Sequence, residues 1–330
     1  MSREPLARPP EQDLSQSTPV ARAVASGLLR DHKSLPAWMF YDATGSSLYE
    51  RITTLPEYYL TRAERAIFEQ RSDDIVAAAL GTSEAPLQVI ELGAGTATKS
   101  QLLLRAVVRS QGGCRFMPID VSHSALQSAV ERLAREEPAV KVTPKVAYHE
   151  QAFPDIRLLG PRQLVLFIGS SIGNYDAETA RTLLRGVRGC LLEGGALLLG
   201  TDLWKSPAIL VPAYDDAQGV TAAFNMNLLV RINRELEADF NLNQFKHVAL
   251  WNEQDSRIEM HLESLTAQRV HVRALDAEVS FFRGERIHTE SSVKYRLSDV
   301  EALLQASGFS LERTFFDPKE LFAVHLARAD

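Results

Sequence analysis

The amino-acid sequence predicts a doubly wound α/β domain with a second, α+β domain inserted into it. Three observations carry this prediction. Between residues 87 and 200, short continuous apolar runs alternate with segments of helical periodicity, the pattern of strands buried on both faces and joined by crossover helices. Glycines at 93 and 95 follow the first of those runs directly, where a sheet of this kind turns its backbone toward a ligand. Beyond Asp202 a helical stretch gives way to strands of alternating apolar and polar residues, and the α/β style returns near residue 296.

In chain order, residues 1–19 are Pro-rich and poor in apolar side chains, and they are read as a disordered lead-in. Val20, Val24, Leu28 and Leu29 recur at helical spacing. Leu48, Ile52 and Leu55 mark a short helix stopped by Pro56, and residues 61–80 form a long one. Strands are expected at 87–92, 116–121, 146–149, 164–168 and 196–200, the third being the weakest. The helices between them reach 107 and cover 124–135 and 177–192. Residues 207–243 read as mostly helical, and 247–290 as strands with one wet face, as in Arg257-Ile-Glu-Met-His-Leu-Glu. Ser298 and Glu301 have the spacing of a capping box, opening a helix that Gly308 ends, and strands near 311–316 and 321–327 finish the sheet. The expected division is a ligand-binding domain at 62–204 and 296–330, and a substrate-binding domain at 20–61 and 205–295.

Composition narrows the function. A chain of 330 residues, 45% hydrophobic, can bury a full core. No apolar run approaches the roughly 18 residues of a membrane span, and the N-terminus has no secretory pattern. Net charge is −6, without a basic cluster, which speaks against a nucleic-acid or anionic-membrane partner. Cys114 and Cys190 have no metal-ligand spacing and read as reduced thiols. A cytoplasmic, monomeric small-molecule enzyme is expected.

The residues that bear chemistry lie beyond the predicted strands. Glu91-Leu-Gly93-Ala-Gly95-Thr96-Ala-Thr98-Lys99 leaves the first strand and opens a helix. Its glycines permit a tight turn and close approach of a ligand beside the positive end of that helix. A dinucleotide fingerprint requires a third glycine where Thr98 stands, so S-adenosylmethionine is favoured over a nicotinamide cofactor. Asp120 ends the second strand, where a carboxylate can accept both ribose hydroxyls. It could instead cap the next helix, though Ser122 and Ser124 are better placed for that. Lys99 reads either as a partner for the cofactor's carboxylate or as a solvated helix residue. The fourth strand runs into Gly169-Ser-Ser-Ile-Gly173-Asn174-Tyr175, unlike the Asn/Asp-Pro-Pro-aromatic loop of nucleic-acid amino-methyltransferases. Asn174 offers a donor and an acceptor, matching an amino acid's carboxylate and amine; a turn asparagine is the plainer alternative. Taken alone, Met260 reads as core, Glu290 as part of a solvated strand face, and Tyr58 as a plug at a domain junction.

Six motifs stand in a familiar order: Tyr41-Asp-Ala-Thr-Gly-Ser, Leu55-Pro-Glu-Tyr58-Tyr, Glu91-Leu-Gly-Ala-Gly-Thr, Gly169-Ser-Ser-Ile-Gly-Asn174, Pro212-Ala-Tyr214-Asp and His288-Thr-Glu290-Ser-Ser292-Val-Lys. From about residue 20 onward the chain resembles the histidine Nα-methyltransferases of ergothioneine biosynthesis. The resemblance implies a Rossmann-like class I methyltransferase domain and S-adenosyl-L-methionine as cofactor. It implies L-histidine as substrate, methylated on its α-amino nitrogen up to the trimethylated betaine, hercynine. Asn174 and Tyr214 would hold the substrate's carboxylate and amine, with Tyr41 near the amine. Tyr58, Glu290 and Ser292 would hold the imidazole, and Met260 would pack on it. Tyr41 and Asn174 are thus the catalytic candidates; Gly93, Gly95, Thr96, Lys99, Asp120 and Phe153 are the cofactor-binding ones. One departure stands out. Where the family has Gly-Asp-Phe after the third strand, Gln151-Ala152-Phe153 is matched here, so the adenine contact falls to a backbone amide or to Gln151.

Methyl transfer from a sulfonium to an amine is an in-line displacement that needs alignment, deprotonation and exclusion of water. No metal is expected, and none of the eight histidines forms an HExxH pattern. Three competing readings remain: methylation of another aromatic amino acid such as tryptophan, a binding module without turnover, and a nicotinamide dehydrogenase. Glu290 speaks against the first, because a buried carboxylate facing an apolar ring is costly.

Overall fold

The computed structural model describes residues 18–81, 85–160, 162–192 and 194–329; the expected lead-in lies outside them but for its last two residues. These open the first helix, Pro19–Leu28. The Thr18 side chain accepts the Ala21 N–H at 3.2 Å, and Pro19 sits in the first turn, where its missing N–H costs nothing. The chain forms two compact units. One comprises Tyr49–Ala217, Leu250–Ile258 and Ser291–Asp330; the other comprises Met1–Leu48, Gln218–Ala249 and Glu259–Glu290.

The larger unit is built on an eight-stranded sheet. Its order is Phe309–Phe316, Phe322–Ala329, Ala196–Asp202, Gln163–Phe167, Gln88–Leu92, Cys114–Asp120 and Val140–Val142, with Lys145–Val146 also pairing Cys114–Asp120. The strands from Ala196–Asp202 across to Val140–Val142 run parallel, and the last two in the chain add antiparallel. The first strand lies mid-sheet, and the chain winds away from it first on one side and then on the other. That reversal falls between Gln88–Leu92 and Gln163–Phe167, and ligands of such sheets bind beyond the carboxyl ends there. Alternate residues Val165, Phe167, Leu197 and Leu199 pack on Leu183, Leu184 and Val187 of helix Ala177–Cys190 and on Val300 and Leu304 of helix Leu297–Ala306. The expected box at Ser298 does not form; the helix starts at Leu297, and the Asp299 carboxylate accepts the Arg296 N–H at 3.0 Å.

The third strand is also displaced. It consists of two short pieces, Val140–Val142 and Lys145–Val146, and His149–Ala152 is a 3₁₀ turn. The Ala147 N–H donates to the Asp120 carbonyl at 3.1 Å, so the residues beyond the strand's end are 147–149, earlier than the sequence reading placed them. Ala152 is fully buried, and the Phe153 ring lies against Gly186 on helix Ala177–Cys190. The half-buried Phe153 side chain thus packs on that helix.

The unit boundaries differ from those expected at 61/62, 204/205 and 295/296. Segments 49–61, 205–217, 250–258 and 291–295 group with the sheet; Tyr59, Lys205 and Lys294, from three of them, all bond to Asp202 at the end of a sheet strand.

The smaller unit carries helices Pro19–Leu28 and Val220–Leu236 and an antiparallel hairpin, Gln268–Val272 with Ala277–Phe281. A four-stranded sheet, most of whose residues fall in this unit, follows the order Lys33–Ser34, Arg286–Val293, Arg257–Ser264, Phe245–Asn252. The alternation read from the sequence holds except at His261: Ile258, Met260 and Leu262 are buried and Glu259 and Glu263 half-buried, but His261 is buried too. Residues 207–243 hold the short helix Pro207–Leu210, the 3₁₀ turn Val211–Ala213 and the long helix Val220–Leu236, and run into the 3₁₀ turn Leu242–Gln244. Among the described residues no helix is long and apolar enough to cross a membrane.

Candidate functional site

Gly93 and Gly95 adopt φ of +70° and +50°, values that disfavour a side chain. They swing the chain out of strand Gln88–Leu92, and the Gly93 and Ala94 N–H groups both donate to the Ile119 carbonyl, at 2.8 and 3.0 Å. A Cβ built on Gly95 would meet open space, and one on Gly93 would stand 3.6 Å from His149 Nε2. Asp120 does not cap the next helix: Ser122 does, accepting the Ala125 N–H at 3.3 Å. The Asp120 carboxylate accepts the Gly95 N–H through Oδ2 and the Ser122 N–H through Oδ1, both at 2.8 Å. A carboxylate has roughly four acceptor positions, so two remain for a ligand. Thr96 is half-buried, and its carbonyl accepts from Arg132 at 2.7 Å.

Lys99 forms an ion pair with Glu64, a fully buried carboxylate whose other oxygen accepts the Gly169 N–H at 2.7 Å. Burial works against the Lys99 ammonium, and Glu64 outweighs it, holding the group above the usual lysine range. One carboxylate thus fastens the loops after the first and fourth strands to each other. Sequence reasoning missed Glu64, although a signal was present. It stands on the apolar stripe of Leu60, Ala63, Ile67 and Phe68, where a carboxylate needs a partner. Glu91 is buried too, and burial pushes its carboxyl up to about 8, so it is largely protonated at neutral pH.

His149 was likewise missed, because the third strand was drawn through it. Its Nδ1 lies 3.4 Å from the Tyr175 hydroxyl, and its ring meets Phe167 edge-on at 5.4 Å. Burial holds the imidazole below the usual histidine range, against the pull of Glu150 and Asp120. Gln151 is exposed, and its side chain accepts the Tyr148 N–H at 3.2 Å.

The loop after the fourth strand is shaped by two left-handed residues, Gly169 at φ +76° and Ser170 at φ +59°, and closes as a 3₁₀ turn ending at Asn174. Gly173 presses on backbone: a Cβ there would lie 3.0 Å from the Val293 carbonyl oxygen. Asn174, half-buried, is thereby held beside the strand that carries Ser292. Tyr58 and Tyr214 meet edge-on at 6.3 Å, and the Tyr214 hydroxyl bonds Ser292 Oγ at 2.7 Å. Lys294, absent from the sequence-derived site, lies 2.8 Å from each of those hydroxyls and 2.8 Å from Asp202.

The remaining candidates belong to the smaller unit. Tyr41 follows the 3₁₀ turn Ala37–Phe40, half-buried, with its ring 6.0 Å from that of Phe224. Met260 is 2% exposed, and its carbonyl accepts the Thr289 hydroxyl at 3.0 Å. Glu290 is half-buried on strand Arg286–Val293.

Known proteins share this arrangement of sequence. A family model described as "Histidine-specific methyltransferase, SAM-dependent" matches residues 20–329. Histidine N-alpha-methyltransferase of Mycolicibacterium smegmatis is 44% identical over 95% of this chain and 96% of its own length. The protein of the same name from Mycobacterium tuberculosis is 43% identical over 93% and 94%. Ergothioneine biosynthesis protein 1 of Schizosaccharomyces pombe is 30% identical over 66% of this chain and 29% of its own.

Proposed function

The chain belongs to the family of histidine-specific, S-adenosylmethionine-dependent methyltransferases, and we propose on that premise that it methylates the α-amino nitrogen of L-histidine. The observation that carries the reading is the Tyr214–Ser292 couple. Two residues the family resemblance assigns to substrate, 78 positions apart, share one hydrogen bond beside the Asn174 loop.

S-adenosyl-L-methionine supplies the electrophilic methyl group on its sulfonium. The residues at the crevice fit it: backbone space at Gly95, acceptor capacity on Asp120 for the ribose hydroxyls, and the glycine loop at the start of a helix. Thr96 and Lys99 line the same turn. His149, beside Gly93, faces the adenosine side in this reading and takes the place intended for Gln151-Ala152-Phe153.

On the substrate side, Asn174 and Tyr214 hold the α-carboxylate and turn the amine toward the methyl group. The amine must be neutral to react; Tyr41, or a water it orients, takes the proton. Three transfers give a quaternary ammonium, which the faces of Tyr41 and Tyr58 suit through cation–π attraction. Glu290 and Ser292 pair with the imidazole, and Met260 packs against it. The product is hercynine, on the route to ergothioneine that the fungal relative's name indicates. The enzyme works as a cytoplasmic monomer in this proposal.

The test is a product mass spectrum from L-histidine and S-adenosylmethionine, followed by competition between equal histidine and tryptophan. Wild type should yield trimethylated histidine. Glu290→Ala should lose roughly 2–4 kcal/mol of histidine recognition, the worth of a charged hydrogen-bond partner whose loss strands a polar ring. An unchanged product ratio would make Glu290 a solvated strand residue, and no methylated histidine from wild type would end the reading.

A further inference from the structure

The larger unit contains a buried ionic cluster that no step above requires. Asp202 is fully buried, and two ammonium groups reach it: Lys205 Nζ at 2.6 Å from Oδ1 and Lys294 Nζ at 2.8 Å from Oδ2. The Tyr59 hydroxyl donates to the same carboxylate at 2.7 Å from Oδ2. An ammonium has three protons. Those of Lys205 go to Asp202, the Tyr59 oxygen and the Leu203 carbonyl. Those of Lys294 go to Asp202, the Tyr214 oxygen and the Ser292 oxygen. The two lysines therefore differ in what they serve: Lys205 braces the end of the strand, while Lys294 grips the hydroxyl couple.

Two consequences follow from that geometry. Lys294 has spent every donor on the protein, so it acts on a ligand only through Tyr214 and Ser292. Each of those oxygens accepts from a cation, which biases its own proton away from Lys294 and strengthens it as a donor. The hydrogen-bonded groups also carry two positive charges against one negative one; Asp317 adds a more distant carboxylate that acts on Lys205 and Tyr59. With Asp317 counted the charges balance, but Lys294 is the cation in contact with the hydroxyl couple, so its charge is the one those hydroxyls present to a ligand.

We propose that Lys294 is a positioning residue for the substrate's α-carboxylate, holding the Tyr214 hydroxyl as a donor toward it and lending it its charge, with Ser292 bonded to the same hydroxyl. The inference rests on the substrate role given above to Tyr214. It makes selectivity for a free carboxylate, over an amide or ester of the same amino acid, a property of this cluster.

The experiment measures L-histidine and L-histidinamide affinity by calorimetry, on protein loaded with S-adenosylhomocysteine. In Lys294→Met the Asp202 charge keeps Lys205 and Tyr59 as partners, so the cluster is not left with a bare carboxylate. Histidine affinity should fall about tenfold, histidinamide affinity should stay within about threefold, and S-adenosylhomocysteine affinity should be unchanged. Lys205→Met should lower the melting temperature while preserving the preference for histidine over histidinamide. Should Lys294→Met not fold, Lys294→Gln, which keeps a donor without the charge, and Tyr214→Phe decide the matter, each lowering histidine affinity and sparing histidinamide. A loss shared equally by histidine and histidinamide in Tyr214→Phe would overturn the proposal. So would an equal loss of both ligands in Lys294→Met, or a wild type without preference for the carboxylate. Failure of wild type to bind either ligand would instead overturn the histidine reading itself.

Discussion

A carboxylate that already accepts two backbone N–H groups does more than wait for a ligand. Asp120 ties the glycine turn to the turn after the second strand through Gly95 and Ser122. Its substitution should therefore affect both cofactor affinity and stability, where sequence reasoning alone expected affinity only. We predict that Asp120→Ala weakens S-adenosylmethionine binding by roughly 1.5–3 kcal/mol, the range for hydrogen bonds to a charged group, and lowers the melting temperature as well. Asp120→Asn keeps one acceptor oxygen and should recover part of the stability but little of the affinity. Titration calorimetry and thermal melts on both variants test this; unaltered affinity in Asp120→Ala would remove the ribose role. The position of Asp120 was legible because a strand end is marked by its apolar run. Its second duty was not, since nothing in one sequence announces which backbone amide a carboxylate will reach.

At the level of elements, long apolar periods were legible and short irregular ones were not. The central strands and the helices between them fall within a few residues of expectation, because burial on both faces leaves continuous runs of Leu, Ile and Val. The third strand sits at the sheet edge, pairs over a few residues and is interrupted at Thr143-Pro144, so its end was placed too late. In the structure, a methyl group on Gly186 would stand 2.3 Å from Phe153 Cε2, so helix Ala177–Cys190 approaches the sheet through a glycine cut to the ring's shape. Gly186→Ala should accordingly destabilise by about 1–3 kcal/mol, the usual cost of overpacking. Phe153→Leu should recover part of that loss in the double variant while costing stability on its own, and neither change should move cofactor affinity beyond about threefold. Urea unfolding and cofactor titration of the three variants check it. A large affinity loss in Phe153→Leu with stability intact would return Phe153 to the cofactor site.

For the molecule as a whole, the two chain-terminal strands decide how the larger unit responds to acid. His325 lies fully buried on strand Phe322–Ala329, between the strands carrying Thr201 and Thr314. Its Nε2 is 2.8 Å from Thr201 Oγ1 and its Nδ1 is 3.0 Å from Thr314 Oγ1. Hydroxyl partners can satisfy a neutral ring, one as donor and one as acceptor, but they bring no counter-charge. Burial alone pushes the imidazole down to about 4. The sign follows from proton uptake: between the ordinary histidine value near 6.5 and about 4, the unfolded chain binds a proton that the folded one does not. Stability from this group is therefore complete above that ordinary value and is lost as pH falls, by about 2 kcal/mol at pH near 5 and about 3 kcal/mol at pH near 4. Other groups also respond to acid, so the informative quantity is a difference between proteins. His325→Gln retains a donor and an acceptor but cannot take a charge. Its stability at about pH 7 should be lower than that of wild type, because the amide fits the strand-to-strand gap less well. Its loss of stability between about pH 7 and pH 5, however, should be smaller than the wild-type loss by about 2 kcal/mol. Urea denaturation of both proteins across that range reads the difference directly, and parallel profiles would mean that His325 titrates alike in the folded and unfolded chains.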